Sequence, residues 1–264
     1  MKIFILLLLS TLLFSKVYYA KVNPYEIRTI SSNVSGLVLF TNEYNLGEKL
    51  SSKPYIRIDS DIEVKELHAI ESKLVYLKDV LNSTKQVLAN LKELLEKKRL
   101  NYQKVKVMSI KSQLEKDREF YNLIASENQY LSTKKEINNL QIQIVDTQLR
   151  ESKLQRIIHD KTLRANGFVL YSLFVKPGQV VGISTPLAQV ADISKAKLTI
   201  YLDKEDVVNA KAKSVYIDGK KTSYKISRVI NITDSKNISK YLAQIIIDSP
   251  KIFSNLIKVE LKDD

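Results

Sequence analysis

Gly36-Leu37-Val38 with Gly47, and Gly167-Phe168-Val169 with Gly178, are two copies of one pattern, a Gly-x-Val followed by a second glycine eleven positions after the first. Apolar residues and a proline follow each copy: Leu50, Pro54, Ile56 and Ile58 in the first, Val180, Val181, Pro186, Leu187 and Val190 in the second. Short alternating runs bounded by glycine turns read as strands: Val38 to Phe40 and Tyr55 to Ile58, then Val169 to Val175 and Val180 to Val190. Neither copy is large enough to bury a face alone, so the two must share a core.

What separates them decides how they meet. No proline occurs between Pro54 and Pro177, and no glycine between Gly47 and Gly167. The whole 264-residue chain has only 6 Gly and 5 Pro, the scarcity that long helices impose. From Leu67 a heptad runs through Leu74, Leu81, Leu88, Leu95 and Tyr102, with a second set at Ile70, Leu77, Thr84, Leu91, Lys98 and Val105. The pattern fades at 106–111, and Ser112-Gln113-Leu114-Glu115 has the form of a capping box that starts a second helix. The apolar positions of that helix read as Leu114, Tyr121, Ile124 and Leu131, then Ile137, Leu140, Ile144, Leu154 and Ile158, with a stutter between Leu131 and Ile137. Two helices of nearly equal length predict an antiparallel hairpin. One continuous helix that dimerises is the alternative, but it would hold the glycine motifs roughly 150 Å apart.

Residues 1–20 read as an export signal: Lys2, an apolar run from Ile3 to Phe14, and Ser15 or Ala20 as the cleavage point. An uncleaved anchor is the other reading of that run, and no other segment could span a bilayer. The absence of cysteine excludes disulfides, thiolate metal sites, cysteine catalysis and a lipid-modified cysteine. A net charge of +13 would suggest nucleic acid in a cytosolic protein. Here the leader, and lysines interspersed with glutamates, predict solvated helix faces and no nucleic-acid partner.

No catalytic constellation is visible. His68 and His159 would be offset by about ten residues, or ~15 Å along a coil, too far to share a metal ion. Two methionines and no cysteine leave few ligands for a soft metal. The chain reads as no enzyme, with no metal and no cofactor.

The paired halves resemble the biotinyl/lipoyl-carrier fold, split at the turn where carriers hold their modified lysine. Asp59-Ser60-Asp61 leads into the helix at that point, so no lysine is presented. With the inserted coil, and with Val190-Ala191-Asp192-Ile193-Ser194 through Leu198 as a link, the chain is similar to the membrane fusion protein (HlyD-like) family of periplasmic adaptor subunits. The resemblance implies an elongated α+β fold: a split lipoyl-like β-module, an inserted α-helical coiled-coil hairpin and a small β-barrel. The implied domains are 21–60 (N-terminal strand and first half), 61–161 (hairpin, tip about 106–111), 162–196 (second half) and 197–264 (barrel), the last leaving no room for most of the membrane-proximal domain of many efflux adaptors. Barrel strands are read at Leu198 to Leu202, Val215 to Ile217, Tyr224 to Ile232, Leu242 to Asp248 and Ile257 to Leu261, with Asp218-Gly219 as a hairpin turn. Asn23 to Ile30 is expected as a further barrel strand.

In that family the hairpin tip docks between helices of a TolC-like outer-membrane channel, through an Arg, a Leu four positions on and a Ser seven further. Asn101, Val105 and Ser112 align with these, and Tyr102-Gln103-Lys104 resembles the residues between the first two. Tyr102 and Val105 can equally be hairpin core, and Ser112 a plain helix cap. The resemblance implies an adaptor linking an inner-membrane transporter to the channel for efflux, assembled as a homo-oligomeric ring in the periplasm of a Gram-negative bacterium and associated with the inner membrane. A resistance-nodulation-division pump is the first choice of transporter. An ATP-driven exporter or type I secretion system is the alternative, and a biotin or lipoate carrier-like subunit the reading from a different class.

Overall fold

The computed structural model describes residues 16–233 and 240–263; the apolar run Ile3 to Phe14 lies outside them. The chain divides into two compact units, Ile58–Thr162 and the residues before and after that stretch.

The inserted unit is the hairpin. Helix α1 (Asp61–Val107) has 47 residues and α2 (Gln113–Asp160) has 48, about 70 Å each at 1.5 Å per residue. They are antiparallel: Glu63 pairs with Lys161 and Glu66 with Arg150 at one end, while Tyr102 meets Phe120 at the other. The α1 heptad is the seam. Ile70, Leu74, Leu77, Leu81 and Leu95 are buried, and Leu67 and Leu88 pack against the same cluster.

Helix α2 follows its sequence reading in its second half, where Ile137, Leu140, Ile144 and Leu154 are buried in the seam, and departs from it in the first. Leu114, Tyr121, Ile124 and Leu131 are exposed, and there is no stutter. The inward positions step three, then four, without a break: Leu123, Ser126, Tyr130, Thr133, Ile137, Leu140, Ile144, Thr147, Glu151, Leu154 and Ile158. Hydropathy misplaced the register because hydroxyl residues occupy the seam. Ser126 and Thr147 donate to the carbonyls of Asn122 (3.0 Å) and Gln143 (2.6 Å) one turn back, which satisfies the hydroxyls inside the helix and lets them be buried.

The second unit is all strand apart from short helical turns. Its strands are β1 (Val17–Ser31), β2 (Gly36–Thr41), β3 (Ile56–Ile58), β4 (Thr162–Leu163), β5 (Val169–Leu173), β6 (Val180–Val181) and β7 (Pro186–Leu202). After the one-turn helix α3 (Lys204–Val207) come β8 (Ser214–Ile217), β9 (Lys220–Lys221), β10 (Ile226–Thr233), β11 (Tyr241–Asp248) and β12 (Leu256–Lys262). One sheet runs β10-β11-β7-β1-β12-β8-β9, with β5 also on β7; the other runs β4-β3-β2-β6. Alternate residues of the first sheet, among them Leu198, Ile200, Leu202, Ala243, Ile245, Val215 and Val259, are fully buried in one cluster. That is the barrel core. Asp218 and Gly219 both take positive φ (48° and 80°) in the β8–β9 turn, as their sequence predicts.

The glycine motifs interlock reciprocally. Gly178 donates to Val38 O and Val38 to Gln179 O, both at 2.8 Å. In the other direction, Gly47 donates to Leu170 O (2.8 Å) and Leu170 to Glu48 O (3.1 Å). The turn of each half therefore holds the strand of the other, with a one-residue offset that coincides with the β5–β7 register shift between Leu170 and Ser172. Gly47 and Gly178 have φ of +82° and +88°, which L side chains avoid. Gly36 opens β2 opposite Val181, and Gly167 sits in the turn before β5, bonded to Leu50 O.

The amino-terminal segment bears on two expectations. Val17 to Ala20, read above as the end of the leader, are the first residues of β1 and pair with β12. Tyr18, Ala20 and Val22 alternate inward into the barrel core, a period-two pattern that the adjoining apolar run hid. A cut after Ala20 would remove two core residues. Asn23 to Ile30 continues the same strand and pairs along β7 as far as Pro186, beside the lipoyl-like half.

Candidate functional site: the hairpin tip

The tip is built by the end of one helix and the cap of the next. Helix α1 ends where the Met108 amide bonds back to Val105 O at 3.2 Å. After four residues Ser112 starts α2 in extended conformation, with a complete capping box. Ser112 Oγ accepts from the Glu115 amide (3.3 Å), and Glu115 Oε2 accepts from the Ser112 amide (3.0 Å) and from the Ser112 hydroxyl (3.1 Å). Lys111 Nζ donates to the other Glu115 oxygen at 2.8 Å. That ion pair first, and the Ser112 contacts after it, hold the Glu115 carboxyl down to about 2.

Of the residues aligned with the family motif, Tyr102 and Val105 are half-buried on the inner side of α1. The Tyr102 ring lies 5.6 Å from that of Phe120, which in turn meets Tyr121 at 5.9 Å. Asn101 and Ser112 are exposed. The Ser112 hydroxyl is already engaged as both donor and acceptor in the cap. Arg99, two residues from the aligned position, is directed across the hairpin to Glu127 at 4.0 Å.

The exposed apolar side chains lie elsewhere. Val107 is 82 %, Ile110 91 % and Leu114 79 % exposed, within eight residues spanning the turn. Sequence reasoning placed Leu114 in the seam and gave Val107 and Ile110 no role. The available signal was their position off the heptad, in a segment where a polar turn is the rule. The capped turn thus leaves three aliphatic side chains in water within eight residues, an apolar surface of the kind that marks interaction sites.

The histidines have separate partners: His68 faces Glu71 (3.3 Å) and His159 faces Asp160 (3.2 Å), each on its own helix. Among the described residues no group of three His, Cys, Asp or Glu is placed to hold a metal ion, and no helix is long and apolar enough to cross a membrane.

No protein-family model and no curated protein matches the sequence. Solved structures do match. Over 94% of this chain and 78% of the other, it superposes on MacA from Actinobacillus actinomycetemcomitans with a TM-score of 0.69 at 16% identity. A MacA–MexA chimera carrying the Pseudomonas aeruginosa MexA α-hairpin gives 0.59 at 15% identity, covering 95% and 82%. The membrane fusion protein Spr0693 from Streptococcus pneumoniae R6 gives 0.56 at 13% identity, covering 95% and 100%. The fold, helical hairpin and β-modules together, is the membrane fusion protein fold.

Proposed function

We propose that the chain is a periplasmic adaptor, joining an inner-membrane transporter to an outer-membrane channel for efflux across the envelope. The observation that carries the reading is the bare apolar tip of the hairpin. Val107, Ile110 and Leu114 gain ~1.5–3 kcal/mol each on full burial, and the hairpin itself leaves that unused. The capping box fixes the turn, so little ordering cost remains when a partner covers it.

The role is binding and geometry, not catalysis. A second feature supports side-by-side packing of hairpins in a ring. Leu131, Ile142, Val145 and Leu149 are all exposed and fall along the face of α2 opposite its seam. A resistance-nodulation-division pump is the transporter class we propose first.

Site-specific photocrosslinking tests this in the native envelope. A crosslinker at Ile110 should capture an outer-membrane protein, and one at the exposed Lys85 of α1 should not. Capture of nothing from Ile110 in cells that express the transporter would remove the channel-docking role.

A further inference from the structure

A polar concavity of about 430 Å³ opens on the outer face of the barrel sheet. Tyr25, Glu26, Lys197, Ser227, Arg228, Gln244 and Ile246 line it. Strand alternation explains why they share a face: Leu198, Ile245 and Ala243 point into the core, so Lys197, Ile246 and Gln244 point out. The register sets Lys197 directly across from Ile246, and Gln244 between Thr199 and Arg228.

Two irregularities flank the concavity. On β10 one extra residue, Ser227, is inserted between the pairs Ile226–Ile245 and Arg228–Gln244, and its hydroxyl bonds to Gln244 O at 2.8 Å. On β1 the register shifts between Pro24 and Glu26, at Tyr25. Such shifts re-aim side chains, and here each supplies a residue of the lining.

Cations outnumber acids in the lining: Lys197 and Arg228 against Glu26. No carboxylate among the described residues lies within ion-pair distance of Lys197 or Arg228. Lys197 instead stands 5.5 Å from the centre of the Tyr25 ring, which orients it without neutralising it. The one acid in the lining, Glu26, is engaged by Arg28 at 2.7 Å; that bond first, with a smaller contribution from the Lys197 charge, holds its carboxyl below the usual range. Two cations, an amide, an aromatic ring and one ion-paired carboxylate thus line an open volume beside Ile246.

We propose that this concavity binds an oxyanion, phosphate or carboxylate, attached to a small aromatic or aliphatic body. Arg228 and Lys197 take the anionic group through charge-assisted bonds, with Gln244 as a neutral donor. Tyr25 and Ile246 take the apolar part. The site stands independently of the adaptor reading, because nothing in it uses the hairpin.

NMR titration of the full protein with inorganic phosphate and with phenyl phosphate tests it, alongside sedimentation with phosphatidylglycerol and with phosphatidylcholine vesicles. Amides around Ser227 and Gln244 should shift saturably, more tightly for phenyl phosphate. Lys197→Gln with Arg228→Gln should weaken binding roughly tenfold or more, as loss of two charge-assisted contacts requires. Tyr25→Ala should erase the preference for phenyl phosphate. Lys220→Gln, an exposed cation at β9, should change nothing. Saturable soluble binding supports a free ligand, and vesicle binding that is phosphatidylglycerol-specific and lost in the double variant supports a lipid headgroup. Linear, unsaturable shifts without such vesicle binding, or equal affinity in the double variant, would overturn the site; unchanged circular dichroism of the variants shows that they fold.

Discussion

Lys161→Met removes the cation at the base of the hairpin. Lys161 Nζ lies 2.6 Å from Glu63 Oε1, with 6 % of the lysine side chain and 25 % of the glutamate side chain exposed. The Lys161 amide closes α2 on Ile157 O (3.0 Å), and its carbonyl accepts from the Ile58 amide (2.8 Å). Those backbone bonds survive the substitution, and methionine keeps the packing of the aliphatic stem. What disappears is the ion pair, leaving Glu63 charged and half-desolvated. Breaking a fully buried pair costs ~3–5 kcal/mol and an exposed pair contributes ~0.2–1 kcal/mol; the water that still reaches Glu63 puts this case at ~2–3 kcal/mol. Adding Glu63→Gln removes the stranded charge and should recover about 1–2 kcal/mol. Urea unfolding followed by far-UV circular dichroism is a direct assay, because nearly all helix in the described residues is α1 and α2. A Lys161→Met unfolding free energy within ~0.5 kcal/mol of the parent, or a double variant no more stable than the single, would refute the reasoning.

The tip cap gives a pH signature. The Glu115 carboxyl, held near 2, lies below the free-glutamate value of ~4.3, so its stabilising contribution is complete above that value and is lost as pH falls toward 2. An NMR titration midpoint near 4.3 would contradict the cap, and Ser112→Ala should speed amide exchange across 112–116 by the equivalent of ~1 kcal/mol. Gly178→Ala meets no atom within 4 Å of its new Cβ, so its cost is conformational strain alone, ~1–2 kcal/mol by urea unfolding; no loss would mean that the left-handed turn is not required. Intact mass of the mature protein should show Tyr18 and Ala20 retained; a chain beginning at Lys21 would contradict their place in the barrel core.

Much of this fold was legible because its signals are local and redundant. The α1 seam carries an aliphatic residue at most inward positions, so hydropathy alone fixes its register. In the second helix the same reading holds for Ile137, Leu140, Ile144 and Leu154 but fails before them, where Ser126 and Thr133 sit inward while Leu131 sits outward. Hydroxyls bonded to their own helix are invisible to a hydropathy pattern. Similarly, Tyr18 and Ala20 are a strand pattern adjoining an apolar run that reads as a leader, and only their pairing with Val259 and Ile257 separates the two. At the tip, the aligned residues Tyr102 and Val105 are part of the hairpin's own packing. The exposed aliphatics, Val107, Ile110 and Leu114, belong to no motif and become evident only from their accessibility.

Affinity isolation from native envelopes bears most directly on the adaptor role. Tagged parent protein should bring down both an inner-membrane transporter and an outer-membrane channel. Ile110→Asp with Leu114→Asp should lose the channel and keep the transporter. Retention of the channel by that variant, or absence of both partners from the parent, would contradict docking through the tip.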